Sequence, residues 1–182
     1  MIIITGFGPY GQFTKNLSGE LVKNLNLPKY DPIYRKILPV SWNSSIVSYK
    51  DLLSNLRSKP KLVILLGIHS SKWYHIEKFS WNLAFGNDIE NKFKMGLIHY
   101  KFPLILKTII NVEKLYSYLK NVETILLSSW AGTYLCNYIY YWALKISNKQ
   151  YPVIFIHIPN KEKLNSCLKS VEMIIDAIIK EI

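Results

Sequence analysis

The chain has only two cysteines in 182 residues, Cys136 and Cys167, and they form no C-x-x-C pair. Two thiols are too few for a disulfide framework, so a reducing, cytoplasmic setting is expected. Metal-ligand spacing is missing as well. His69, His75, His99 and His157 fall in no H-E-x-x-H or paired Cys/His pattern, so no metal site is expected. No apolar run reaches the length of a membrane span without charges or turn residues; the longest, after Cys136, is rich in tyrosine and bounded by Lys145. The opening MIIITGFGPYGQF lacks a positive n-region and reads as a strand entering a glycine turn, not as a signal peptide, so no membrane association is expected. Acidic residues are scarce, 12 Asp and Glu against 23 Lys and Arg, for a formal charge of +11. The lysines are nevertheless scattered, with no long basic block and no RNP or zinc-finger pattern. That distribution speaks against nucleic acid and for a solvated, mildly basic surface. Repeats and low-complexity linkers are absent, and with 49% hydrophobic residues the length suits one domain over residues 1–182.

What is present alternates. Ile2 to Ile4 is a β-branched strand, Ser18 opens a short helix ending before Pro28, and Tyr34 to Val40 is extended. Asn43 or Ser44 is positioned to cap a helix through Ile46, Tyr49, Leu52, Leu53 and Leu56. Leu62 to Leu66 is a buried strand ending at Gly67. Strand, helix, strand, helix, strand predicts an α/β fold, a three-layer α/β/α sandwich around a largely parallel mixed sheet. Trp73 to Phe85 leans to an extended segment, Gly86 to Gly96 reads as a polar loop, and Leu97 to Ile110 shows no clear period. Val112 to Leu119 predicts a helix, Thr124 to Leu127 and Tyr151 to Ile158 predict strands, and Glu162 to Ile179 predicts an amphipathic final helix.

Chemistry concentrates in Thr124 to Leu144, TILLSSWAGTYLCNYIYYWAL. A strand, a small turn-competent stretch and a long apolar helix put Cys136 in the opening turns of that helix. There the helix dipole and unpaired N–H groups favour an anion, and a thiol shifts towards the nucleophilic thiolate. The competing reading is a small hydrophobe in a packed helix, which suits Cys167 on the apolar side of the last helix. His157 ends a buried strand and Glu77 follows another. Ligand sites in open α/β sheets form beyond the carboxyl ends of strands, so thiol, imidazole and carboxylate have a route to converge. Taken alone, His157 is more often a satisfied strand-end histidine than a base, and Glu77 more often a salt-bridged surface carboxylate. The loop Thr5 to Gly11 lacks G-x-G-x-x-G spacing and contains Pro9, which discounts phosphate binding. Its Phe7 and Tyr10 either wall an apolar pocket or pack in the core.

Five stretches in order, T-G-F-G-P-Y-G at the start, L-P-V at 38 to 40, I-E-K-F-S-W-N at 76 to 82, S-W-A-G-T-Y-L-C-N-Y at 129 to 138 and F-I-H-I-P at 155 to 159, resemble the motifs of the pyroglutamyl peptidase I (pyrrolidone carboxyl peptidase) family. The resemblance spans nearly the whole chain. It implies a thiol exopeptidase acting on pyroglutamyl peptides, with Cys136 as nucleophile, His157 as base and Glu77 as the orienting acid. It also implies Phe7 and Tyr10 at the lactam pocket, no metal or organic cofactor, and a homo-oligomer, tetramer or dimer. The chain departs from the family pattern after Glu77: an arginine of the pattern is Asn87 here, and Lys72 stands for another. Alternatives are therefore a divergent member with altered specificity or no peptidase activity, or a basic binding module for an acidic partner.

Overall fold

The structure, a computed structural model, describes residues 1–11, 14–30, 32–122 and 124–182. In chain order it contains β1 (Ile2–Phe7), α1 (Leu17–Asn24), β2 (Ile33–Leu38), α2 (Trp42–Ser54), β3 (Leu62–His69), β4 (Tyr74–Glu77), β5 (Phe79–Trp81), β6 (Leu83–Asn87), β7 (Phe93–Leu97), β8 (Ile105–Lys107), α3 (Val112–Leu119), β9 (Ile125–Ser128), α4 (Leu135–Ser147), β10 (Val153–Pro159) and α5 (Leu164–Glu181). Six strands form the main sheet in the order β2-β1-β3-β10-β4-β9, and two short two-stranded sheets, β5-β8 and β6-β7, stand beside it.

Alternation along the strands sorts the core into two layers. Ile4, Leu62, Ile64, Leu66, Ile76, Ile154 and Ile156 face one side and pack with α1, α3 and α5 in an almost wholly aliphatic cluster. Ile3, Val63, Leu65, Val153 and Phe155 face the other and meet α2 and α4, which bring Trp42, Tyr49, Tyr138 and Tyr140. Helices on both faces of one mixed sheet are the expected sandwich.

Two strands, β4 and β9, run against the other four. β2, β1, β3 and β10 are parallel, but β4 is antiparallel to β10, and β9 is parallel to β4. Only Ser70 to Trp73 separate β3 from β4, too short a link for a parallel crossover, which takes a dozen or more residues. Glu77 therefore does not lie at the carboxyl edge of the parallel strands. It pairs with Phe155, two residues before His157, and sits deep in the sheet.

Two local expectations are also corrected, and one unassigned stretch is resolved. Helix α2 begins at Trp42, and its cap is Ser41, whose hydroxyl accepts from the Ser44 N–H, not Asn43 or Ser44. Gly86 to Gly96 is not a loop throughout: β6 and β7 pair as a hairpin with Leu83 opposite Leu97 and Asn87 opposite Phe93. Its strands face solvent widely, with Phe85, Phe93, Met95 and Leu97 exposed, so no burial alternation marked them in the sequence. Leu97 to Ile110 contains β8, which pairs with β5.

Candidate active site

Helix α4 starts at Leu135 without a side-chain cap. Gly132, at φ +81, takes the left-handed turn that brings the chain round from β9 into the helix. The first helical backbone bond runs from Tyr138 N–H to Tyr134 C=O, leaving the N–H groups of Leu135 and Cys136 without partners inside the helix. Cys136 is half-buried at this electropositive end. Its sulfur lies directly over Gly67: a Cβ added there would fall 2.7 Å from Sγ and 2.6 Å from Phe155 Cζ. Glycine is required at that point of β3 because the Cys136 sulfur and the Phe155 ring occupy the space a side chain would take.

Gly67 is the register partner of His157 on β10, so the sulfur rests beside the imidazole. On the other edge of that ring, Nδ1 lies 2.7 Å from Glu77 Oε1. Glu77 is fully buried and His157 is 6% exposed. Burial works against the imidazolium, but the charge and hydrogen bond of Cys136, and then those of Glu77, outweigh it and raise His157 to about 9. His157 is thus held protonated near neutral pH between a sulfur and a carboxylate. Glu77 Oε2 is buried and takes no hydrogen bond among the described residues, so the carboxylate's directional bond goes to His157. The reading of Glu77 as a surface salt-bridge partner does not hold.

Helix α4 also fixes the strand that bears Glu77. Asn137, next to Cys136 and fully buried, accepts from the Ser80 hydroxyl and the Trp81 N–H and donates to the Trp81 and Leu83 carbonyls at 2.8 and 2.9 Å. The Tyr140 hydroxyl donates to the Glu77 carbonyl at 3.0 Å. At the helix start, the Tyr134 hydroxyl donates to the Asn87 carbonyl at 2.7 Å and ties the hairpin to the site. Sequence reasoning assigned no role to Asn137, Tyr140 or Gly67. Asn137 lay inside a quoted motif, and Gly67 left only the signal of a glycine closing a buried strand.

Phe7, Tyr10, Asn16, Val40, Ile68, Tyr134 and Leu135 enclose a small apolar cleft of ≈ 70 Å³ that reaches Cys136. Both expected pocket aromatics, Phe7 and Tyr10, therefore line the cleft that reaches the Cys136 thiol. Phe7 is held there by its N–H donating to the Ser18 hydroxyl at 3.0 Å, and the Asn16 amide donates to the Gly8 carbonyl at 3.0 Å. A larger cavity of ≈ 810 Å³ lies among Met1, Leu62, Pro152 and Ile182, at the other ends of the parallel strands and away from the thiol. The apolar cleft with a thiol at its wall is where acyl chemistry has its parts. Among the described residues, no group of three or more His, Cys, Asp or Glu is arranged to hold a metal ion.

Comparison with known proteins identifies the family and the fold. The sequence profile of a family described as pyroglutamyl peptidase matches residues 1–179. The pyrrolidone-carboxylate peptidase of Thermococcus litoralis is 29% identical over 153 residues, covering 80% of this chain and 69% of that protein. Among solved structures, pyrrolidone carboxyl peptidase from Thermus thermophilus superposes with a TM-score of 0.86 at 24% identity, over 97% of this chain and 100% of that one. Pyroglutamyl peptidase I of Bacillus amyloliquefaciens gives 0.86 at 23% identity, over 99% and 97%.

Proposed function

Because the chain belongs to the pyroglutamyl peptidase family, we propose that it is a cysteine exopeptidase that removes an N-terminal pyroglutamyl residue from peptides. The observation that carries this reading is the continuous line from Cys136 through His157 to Glu77, closed by the 2.7 Å bond between His157 Nδ1 and Glu77 Oε1. Cys136 as thiolate attacks the pyroglutamyl carbonyl carbon, and the carbonyl electron pair moves onto oxygen. The free N–H groups at the start of α4 face the developing oxyanion. Collapse breaks the C–N bond, and the protonated His157 gives its proton to the leaving amine. A water then attacks the thioester, with His157 taking its proton, and pyroglutamate departs as the thiol is regenerated. Glu77 keeps the imidazole oriented and supports its charge throughout. The lactam has no free α-amine, and a cleft walled by Phe7, Tyr10, Val40 and Tyr134 suits a neutral ring.

Hydrolysis of a pyroglutamyl chromogenic amide tests the reading. Turnover that disappears in Cys136→Ala is expected; no turnover, or turnover unchanged in that variant, overturns it. A second reading, altered specificity or slow chemistry, is favoured by the β6–β7 hairpin. Asn87 stands on it where the family pattern has an arginine, and its carbonyl is bound by Tyr134 at the mouth of the cleft. A panel of N-terminally blocked amides separates the two, the second requiring a blocked residue other than pyroglutamyl to be the better substrate.

The remaining parts of the proposal are a single domain over residues 1–182, a cytoplasmic setting, and a homo-oligomer, tetramer or dimer. The exposed Phe85, Phe93, Met95 and Leu97 of the hairpin support the last. No helix among the described residues is long and apolar enough to cross a membrane.

A further inference from the structure

The proposed reaction uses one histidine, but three imidazoles lie together on this face of the sheet. His69 follows Gly67 by two residues on β3 and so faces the same side. Its ring stacks on His157 with centroids 5.0 Å apart and planes 24° from parallel. The opposite flank of His157 is occupied by Phe155, 4.7 Å away and tilted by 53°. His69 is itself held on two sides. Its Nε2 lies 2.8 Å from the Trp73 carbonyl, in the turn between β3 and β4, and His75 packs edge-on against it at 4.4 Å and 75°. The turn is set in its own right, Trp73 N–H donating to the Ser71 hydroxyl at 3.1 Å.

A carbonyl only accepts, so His69 carries its hydrogen on Nε2, and the neutral ring offers His157 a π face. The groups around the pair are His75 and Glu77 from β4 and Cys136 and Tyr140 from α4. Burial first, and then the charge of His157, lower His69 to about 4, so it stays neutral while His157 is an imidazolium. A neutral ring stacked on a cationic one is attractive, and two cations in that arrangement would repel.

We infer that His69 is a positioning residue: its ring is the wall against which the His157 imidazole is stacked, fixing the plane in which His157 meets the Cys136 sulfur. The edge contacts with Glu77 and Cys136 leave rotation about the line joining them as the free motion. Phe155 and His69 close it from the two faces. Gly67 completes the arrangement, since the strand carries no side chain opposite His157 and the next side chain on that face is the His69 ring. The inference rests on the proposed pairing of Cys136 with His157.

The test reads the pair directly, by the rate at which iodoacetamide alkylates Cys136 across a pH series, located by mass spectrometry. In His69→Ala the rate at neutral pH should fall about tenfold, the order expected when a reacting pair loses its orientation. His69→Phe restores the aromatic wall without a titrating group and should return to within about threefold of wild type. His69→Gln keeps a donor for the Trp73 carbonyl without a ring and should fall with the alanine variant. If His69→Ala does not fold, the phenylalanine and glutamine variants alone decide. An alanine variant alkylated as fast as wild type at every pH overturns the inference, as does a phenylalanine variant that falls as far as the glutamine one. Alkylation needs no substrate, so the two readings fail separately. A wild type that hydrolyses no pyroglutamyl amide, yet shows this order of variants, drops the peptidase and keeps the wall.

Discussion

The two cysteines sit on opposite faces of the same sheet, and the contrast between them shows what makes a thiol chemically available. Cys167, on α5, is fully buried in the aliphatic layer, with the Tyr74 hydroxyl 3.3 Å from its sulfur. Burial pushes its thiol up to about 11, and the Glu162 carboxylate nearby pushes the same way. Cys167 also lies in the first turn of a helix, but its N–H is already bonded to the Lys163 carbonyl, and the charged group beside its sulfur is a carboxylate, not an imidazolium. Cys136 is half-buried on the aromatic layer, at the start of α4, against an imidazole held protonated by its neighbours. Both are small apolar side chains in a helix, and the neighbours supplied by other strands make them different.

The comparison is most severely tested by truncating each thiol. Cys136→Ala should lower pyroglutamyl amide hydrolysis by at least about a thousandfold, whereas Cys167→Ala should leave it within about twofold, because only one thiol is in the reacting line. Equal losses in steady-state assays would remove the distinction. Next in size is Glu77→Gln, which leaves the imidazole without its anionic partner and should cost about a hundredfold or more in kcat. Circular dichroism should show a folded chain in that variant.

A smaller effect comes from pH. His157 is raised from 6.5 to about 9 in the folded chain, so the stability its charged form contributes is complete below 6.5 and is lost as pH rises through 9. kcat/KM should decline over the same upper range as the proton for the leaving amine is lost. In Cys136→Ala the strongest influences raising His157 are gone, and NMR titration should find its pKa lower than in wild type. A pKa unmoved by that substitution would mean that the sulfur and the ring do not interact. Smallest is Gly67→Ala, whose methyl would crowd Sγ and Phe155. It should cost about 1–3 kcal/mol by denaturant unfolding, with alkylation of Cys136 altered and that of Cys167 in the unfolded chain unaffected.

Much of this architecture was legible before any coordinates. The strands at Ile2, Leu62 and Val153 are continuous apolar runs because both sheet faces are covered, and their alternation with helices implied the sandwich. Cys136, His157 and Glu77 do come together, and Phe7 and Tyr10 do line the cleft beside the thiol. The route by which Glu77 arrives was misread. A carboxyl-edge site was expected, whereas β4 runs backwards and delivers the carboxylate from within the sheet. The four residues between β3 and β4 carried that information, since no parallel crossover fits in them. The β6–β7 hairpin was hidden for the opposite reason: its strands lie against little, so burial wrote no period of two into them. His69 left no trace, because stacking between β3 and β10, neighbours in the sheet but far apart in the chain, has no sequence spacing to detect.

Asn137 has a consequence for how such a chain can change over generations. Its amide grips the backbone of Trp81 and Leu83, asking nothing of the side chains at those two positions. Substitutions can accumulate there while the main chain, and the carboxylate a few residues upstream, stay where they were. That tolerance leaves the side chains at Trp81 and Leu83 free to vary while the line from Cys136 through His157 to Glu77 stays in place: the amide holds the thread and is indifferent to the beads strung on it.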